Sequence, residues 1–322
     1  MKDSDTTRSG IRAGVDIGGT KLAVCLSEGE DGRGRPRLLA RHSEPTVKTG
    51  APQALAQQLM RLLAQACAEV GRDAADLAAV GVGACGPFVL KDGQIELATP
   101  NICGGLAELP GGPPNDWRSV PLEALLRPHW PALRIENDAV AALEAERRWG
   151  ALQGLDHCAY LTWSTGVGVG LCVDGHVLRG KQGNAGHAGH SFVGDDAVDA
   201  WCGCGNRGDV EALVSGHAMA QRYGRPARAL LEAAEAGDGA ALLAVEQVCH
   251  TLGRLLYNLV VTLDLQRISL GGSVFVHHAD LLLPRLDAQV RSRLPALTAG
   301  VELVAAGLGP EVGDYAALAL VS

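Results

Sequence analysis

Val15-Asp16-Ile17-Gly18-Gly19-Thr20-Lys21 sets one acidic residue against a glycine turn, between apolar runs at residues 11–15 and 22–26. The runs read as strands, so the segment is a hairpin whose turn carries no bulky side chain. Backbone N–H groups of such a turn can approach a phosphate closely, and the Thr20 hydroxyl adds a further donor. Asp16 repels phosphate unless a cation lies between them, and Mg²⁺ reached through water would supply that bridge. A carboxylate beside a phosphate cradle suits nucleotide chemistry; a tight hairpin capped by Asp is the purely structural alternative. Ser164-Thr165-Gly166-Val167-Gly168-Val169-Gly170 repeats the strand–glycine turn–strand pattern with hydroxyls. Two such hairpins in two halves of one chain imply a ligand clamped between them.

A second kind of chemistry is written at Arg134-Ile135-Glu136-Asn137-Asp138-Ala139, where a strand ends and a helix begins. Asn and Asp are favoured helix caps. The ends of strands in α/β sheets also face ligand crevices, and an Asp placed there can take a hydroxyl proton during phosphoryl transfer. A third stretch, Gly183-Asn184-Ala185-Gly186-His187-Ala188-Gly189-His190, precedes Cys202-Gly203-Cys204, with Asp209 five residues beyond. A His, a Cys-x-Cys pair and one more donor could wrap a Zn²⁺ ion. Two cysteines in a glycine-rich turn can also be incidental.

The elements that must position these groups follow from periodicity. Strands are expected at residues 11–27 (as a hairpin), 36–42, 77–82, 133–136, 159–161, 168–173, 176–178 and 268–270. Helices are expected at 52–70, from Asp138 to about 149, at 211–222, 226–235 and 239–263, and from about 312. Residues 103–118 are Gly/Pro-rich and read as loop. Residues 180–210 form a long, aperiodic Gly/His/Asp-rich segment, which in a compact domain is usually functional. The alternation predicts an α/β protein, and 322 residues suffice for two domains.

Composition removes several classes of function. The formal net charge of −8 argues against a nucleic-acid partner, which needs a basic face. No apolar run reaches the ~20 residues of a membrane helix. Residues 1–10 are polar and charged, unlike a signal peptide. Nine cysteines, an odd number lying mostly in apolar runs, suit reduced thiols in a cytoplasm.

Together these segments resemble the ROK family of sugar kinases and repressors, nearly end to end. The family's first phosphate motif is similar to Asp16 through Lys21, and its second to Ser164 through Gly170. Its Glu-Asn-Asp-Ala stands unchanged at Glu136 to Ala139. Its Thr-Pro-Asn loop is Thr99-Pro100-Asn101, and the Gly-Gly of its adenosine-side loop is Gly271-Gly272. The resemblance implies a two-domain actin-like ATPase (ribonuclease H-like) fold with an interdomain cleft. The small domain would comprise residues 1–138 plus the C-terminal helix to 322, and the large domain residues 139–304. It implies ATP, Mg²⁺ and a structural Zn²⁺ as cofactors, a small sugar or sugar-like substrate, and a homodimer.

The same resemblance assigns roles. Asp138 would be the general base. Asn101, Asn137, Asp138, His190 and Glu211 would hold the sugar. Asp16, Gly18, Gly19, Thr20, Lys21, Thr165, Gly166, Gly168, Gly271 and Gly272 would hold ATP, with Mg²⁺ near Asp16. The chain departs from the family twice. The family's Glu-x-Gly-His is His187-Ala188-Gly189-His190 here, so His187 replaces a sugar-binding Glu. The zinc ligands fall on His190, Cys202 and Cys204, with Asp209 where the family has a third Cys. Expected function is ATP-dependent phosphorylation of a hexose, glucose first, with N-acetylhexosamines, fructose or a cyclitol as alternatives. A non-catalytic sugar sensor is the alternative from another class. A repressor is disfavoured because the first hairpin lies too near residue 1 to leave room for a DNA-binding domain before it.

Overall fold

The first strand shows how the sequence places its functional residue. In the computed structural model, which describes residues 10–106, 112–194 and 199–322, β1 (Arg12–Ile17) and β2 (Lys21–Glu30) form the expected antiparallel hairpin. Side chains alternate across a strand. Ala13, Val15 and Ile17 enter the core of the N-terminal half, while Gly14 and Asp16 take the opposite face.

Then follow β3 (Pro36–Pro45), α1 (Ala54–Glu69), β4 (Ala79–Ala84), β5 (Phe88–Lys91), β6 (Gln94–Leu97), α2 (Leu122–Leu126), β7 (Leu133–Asn137) and α3 (Asp138–Trp149). The C-terminal half continues with β8 (Cys158–Trp163), β9 (Val167–Val173), β10 (His176–Val177), α4 (Val210–Val214), α5 (Gly216–Tyr223), α6 (Ala227–Glu235) and α7 (Gly239–Leu263). It closes with β11 (Arg267–Gly271), α8 (Ala279–Arg291), α9 (Pro295–Thr298), β12 (Glu302–Ala305) and α10 (Val312–Ala319). Among the described residues, no helix is long and apolar enough to cross a membrane.

Two five-stranded sheets result, ordered β3-β2-β1-β4-β7 and β10-β9-β8-β11-β12. Both have three antiparallel strands followed by two parallel ones. The repeat explains the echo between the two glycine hairpins: β1–β2 and β8–β9 are equivalent pieces of equivalent sheets. Each sheet has its own core, one around α1 and the other around α7.

α3 and α10 pack on each other and join the halves. α10 also lies across β1 and β4, so closely that a Cβ at Gly81 would fall 1.9 Å from the Ala317 carbonyl oxygen. Glu146 of α3 is fully buried and holds this junction. Its carboxylate accepts the backbone N–H groups of Ala151 at 2.8 Å, Gly307 at 2.9 Å and Leu308 at 2.8 Å, and the Ser269 hydroxyl at 3.2 Å. Leaving such buried donors unpaired costs about 1–3 kcal/mol each.

The structure corrects some expected elements. The single helix over 211–222 is two, α4 and α5, because Ser215 takes extended backbone and caps α5 by accepting the Ala218 N–H at 3.1 Å. The loop expected at 103–118 contains a 3-10 turn at Gly104–Leu106; its residues 107–111 lie outside the described residues, as do residues 1–9 and part of the 180–210 segment. The β5–β6 hairpin, α2, α8, α9 and β12 were not expected.

Candidate active site

Strand register sets the first candidate residues side by side. Asp16 on β1 pairs with Gly83 on β4, which pairs with Glu136 on β7. Asn137 and Asp138 come next, at the start of α3. Asn137 caps this helix, its Oδ1 accepting the Ala139 N–H at 3.0 Å and the Val140 N–H at 3.4 Å. Its Nδ2 stays available to a ligand. Asp138 Oδ1 also accepts the Ala139 N–H, at 2.8 Å. The capping expected of this stretch is thus made by Asn137, and the Asp138 carboxylate stands beside it at the helix start.

The electrostatics of the two aspartates are linked. Burial first, and the Asp138 carboxylate second, raise the Asp16 carboxyl to about 7, against the opposing pull of Lys21 and Arg41. Burial also raises Asp138, while the hydrogen bond from Ala139 favours its charged form. Two carboxylates sharing a poorly hydrated wall attract a cation or a proton. Asp16 lies against the start of α10, where a Cβ at Gly313 would sit 3.4 Å from Asp16 Oδ2. Arg41 is held nearby by Asp314 at 2.9 Å.

The phosphate-type turns flank this wall. Gly18 closes the first by donating its N–H to the Lys21 carbonyl at 2.9 Å, and Thr20 and Lys21 are exposed beside it. A Cβ at Gly19 would touch Asn101 Cβ at 2.8 Å, which puts the Thr-Pro-Asn loop against this turn. The second turn, with Thr165 exposed, closes through Ser164 N–H to the Gly166 carbonyl at 2.9 Å. Gly168 and Gly170 let β9 approach α3; a Cβ at Gly170 would lie 2.5 Å from the Ala139 carbonyl. Gly272 packs on the Trp163 backbone, and Val274 N–H reaches the Trp163 carbonyl at 3.0 Å. The structure thus brings Thr165, Gly166, Gly271 and Gly272 to one end of the C-terminal sheet, next to Asp138.

The third stretch folds into a cluster. Asp209 is fully buried and works in two directions: Oδ1 caps α4 by accepting the Ala212 N–H at 2.8 Å, and Oδ2 faces His190 Nδ1 at 3.2 Å. Cys202 Sγ lies 3.5 Å from His190 Nδ1, and Cys204 Sγ 3.6 Å from Asp209 Oδ2. One donor atom from each of the four residues lies within 4.8 Å of all the others. A tetrahedron of ~2.0–2.3 Å zinc bonds has edges of roughly 3.3–3.8 Å, close to the three separations named above, though the four donors spread up to 4.8 Å. The donor set is thus compatible with a structural Zn²⁺ that would fix the loop between His187 and Glu211. His190 would meet it through Nδ1, leaving Nε2 for a ligand in the cleft. Glu211, raised by burial, accepts the Val167 N–H at 2.8 Å and touches Cys202 Sγ at 3.4 Å, so it bridges this loop and the second phosphate turn. Protein prepared without chelator should carry about one zinc per chain. Asp209→Cys should raise zinc affinity, because thiolate is the stronger partner for this ion. Elemental analysis finding no zinc in either protein would remove the metal from the site.

Three residues of the site were missed in the sequence. Arg179 pairs with Glu136 and, at 3.1 Å, with Glu144. Gly86 supports the ring of His187, whose Nε2 would lie 2.6 Å from a Cβ there. Asn184 exchanges hydrogen bonds with the backbone of Phe88. Asp92-Gly93, with φ of 51° and 76°, signals the β5–β6 hairpin that Asn184 meets, but no local pattern signals Asn184 or Gly86 themselves.

A cleft with this set of groups can be compared with known proteins. The family model for the ROK family matches residues 12–322. The chain belongs to the ROK family. An N-acetylmannosamine kinase of Shigella boydii serotype 18 (strain CDC 3083-94 / BS512) is 36% identical over 266 residues, 81% of this chain and 82% of that protein. Among solved ROK structures, a hexokinase from Thermus thermophilus superposes with a TM-score of 0.74 at 32% identity, covering 96% of this chain and 97% of that one. A ROK family glucokinase from Streptomyces griseus, in complex with glucose and AMPPNP, gives 0.72 at 28% identity, covering 96% and 98%. The fold is accordingly the α/β actin-like ATPase fold of the ROK sugar kinases.

Proposed function

We propose that this protein is an ATP-dependent kinase acting on a hydroxyl of a hexose-type sugar. The observation that carries the reading is Asp138: a half-buried carboxylate at the start of α3, in a chain that carries two equivalent glycine hairpins. ATP would lie with its phosphates on Gly18, Gly19 and Thr20 on one side and Thr165, Gly166 and Gly168 on the other, with Lys21 near the first turn. Gly271 and Gly272 would line the adenosine side. Bound Mg²⁺, with Asp16 nearest, would neutralise charge on the phosphates. Asn101, Asn137 Nδ2, His187, His190 Nε2 and Glu211 would orient the sugar, and Asp138 would take the proton of the attacking hydroxyl. Most of the rate would then come from alignment and charge neutralisation, as is usual for phosphoryl transfer.

The relative at 36% identity favours N-acetylmannosamine as the sugar, ahead of the glucose expected from the sequence. His187 supports a departure from glucose. A carboxylate can accept from two hydroxyls, whereas a neutral imidazole accepts once. Coupled ADP release with Mg-ATP over a panel of hexoses, N-acetylhexosamines and cyclitols tests the reading. N-acetylmannosamine should give the highest kcat/KM, and His187→Glu should change the ranking by about tenfold or more between two sugars. Sugar-independent ADP release would sink the kinase assignment. A parallel loss across the whole panel in His187→Glu would remove His187 from specificity.

A further inference from the structure

Asn184 lies between β10 and the turn that carries His187 and His190. Its side chain reaches across to the N-terminal half. Phe88 N–H donates to Asn184 Oδ1 at 2.7 Å, and Asn184 Nδ2 donates to the Phe88 carbonyl at 2.7 Å. This is the two-bond exchange of paired strands, made here by a side-chain amide on β5. The Asn184 main chain does something else. Its carbonyl lies 3.1 Å from His187 Nδ1. A carbonyl only accepts, so Nδ1 carries the proton, and in the neutral ring Nε2 presents a lone pair. Burial favours that neutral ring.

The two ends of this arrangement belong to different halves. Phe88 is part of the N-terminal core, and Gly86, which backs the His187 ring, precedes it on the same connection. The segment bearing Asn184 and His187 is fixed to the C-terminal sheet, where Val169 N–H donates to the Gly186 carbonyl at 3.1 Å. A Cβ built on Gly86 would lie 2.6 Å from His187 Nε2 and 3.3 Å from Asn137 Nδ2, so both nitrogens sit beside Gly86 and near each other.

We propose that Asn184 is a positioning residue for substrate: it docks the His187 segment on β5 and presents His187 Nε2 to the cleft as a hydrogen-bond acceptor. The matching group on the substrate is a donor, a hydroxyl or an amide N–H; a carbonyl or ring oxygen at that point finds no partner in His187. The inference rests on the reading of the cleft as a sugar site, and its test separates the two.

Nitrogen-15 imidazole spectra of the full protein should show His187 as the Nδ1–H tautomer. In Asn184→Ala that tautomer should give way to a mixture. In kinetics, Asn184→Ala should raise the KM for sugar about tenfold, as expected for losing two hydrogen bonds, with kcat and the KM for Mg-ATP within about threefold of the parent. His187→Ala should lower kcat/KM for sugar about tenfold in the parent and within about twofold in the Asn184→Ala background, since the second change removes what the first positions. Asn184→Asp keeps the acceptor for Phe88 N–H, loses the donor, and should fall between; it decides the matter if Asn184→Ala does not fold. An unchanged His187 tautomer in the variants, equal rises in both KM values, or multiplicative effects of the two substitutions would overturn the proposal. A parent protein that phosphorylates no sugar would instead refute the kinase reading, while the spectra would still judge Asn184.

Discussion

Asp138→Asn should cut turnover by roughly 10²–10⁴-fold while leaving sugar affinity within a few-fold of the parent. The amide keeps the shape of the carboxylate and can still accept the Ala139 N–H that Asp138 Oδ1 accepts at 2.8 Å. The helix start is also secured independently by Asn137. The fold therefore loses little, and the one property removed is the capacity to take a proton. Equilibrium sugar binding by calorimetry, set beside steady-state ADP release, checks both halves of the statement. Turnover within a few-fold of the parent would mean that Asp138 is a second helix cap and not a base.

Asp16→Asn should do the opposite to stability of what it does to activity. In the absence of nucleotide and Mg²⁺, burial and the Asp138 charge raise the folded Asp16 carboxyl from 3.8 to about 7. The folded state thus holds a proton that the unfolded state has released. The stability this contributes is fully present below about pH 4 and is lost as the pH rises through 7. A shift of that size corresponds to about 4 kcal/mol. The variant has no carboxylate to bury, so its advantage in thermal stability over the parent should grow from pH 5 to pH 8. Its turnover should fall sharply, and its melting temperature should stop responding to Mg-ATP as the parent's does. Melts at two pH values, with and without Mg-ATP, provide the measurement. A variant less stable than the parent at pH 8, with unchanged Mg²⁺ dependence of turnover, would leave Asp16 as a turn residue.

Legibility in the sequence followed the range of the interactions. Asp16 with its glycine turn, and Asn137-Asp138 at a strand-to-helix junction, could be read because each is a short-range pattern with a local physical cause. The same holds for α1 and α7, whose apolar spacing is regular over many turns. α8 escaped because Pro284 interrupts its pattern, and β12 because a four-residue edge strand carries little periodicity. The Asp92-Gly93 hairpin was legible and was passed over. No local pattern could have joined Asn184 to Phe88, Arg179 to Glu136, or Arg41 to Asp314. The first two pairs exist only once two sheets have been built and set side by side, and the third only once α10 has docked on the N-terminal sheet.

The way α10 lies across β1 bears on how the protein is made. The strand carrying Asp16 precedes the other elements described above in synthesis, and the helix that covers it follows them. Until then Gly14 and Gly81 lack the Ala317 and Leu318 contacts that cover them. The C-terminal sheet with α7 has all of its large core within residues 159–303 and can close earlier. Contacts so far apart in sequence slow folding and keep apolar surface exposed meanwhile. Slow synthesis or loss of α10 would therefore leave the N-terminal half, with its glycine turn intact in sequence and unsupported in space, as the part of the fold most in need of a chaperone.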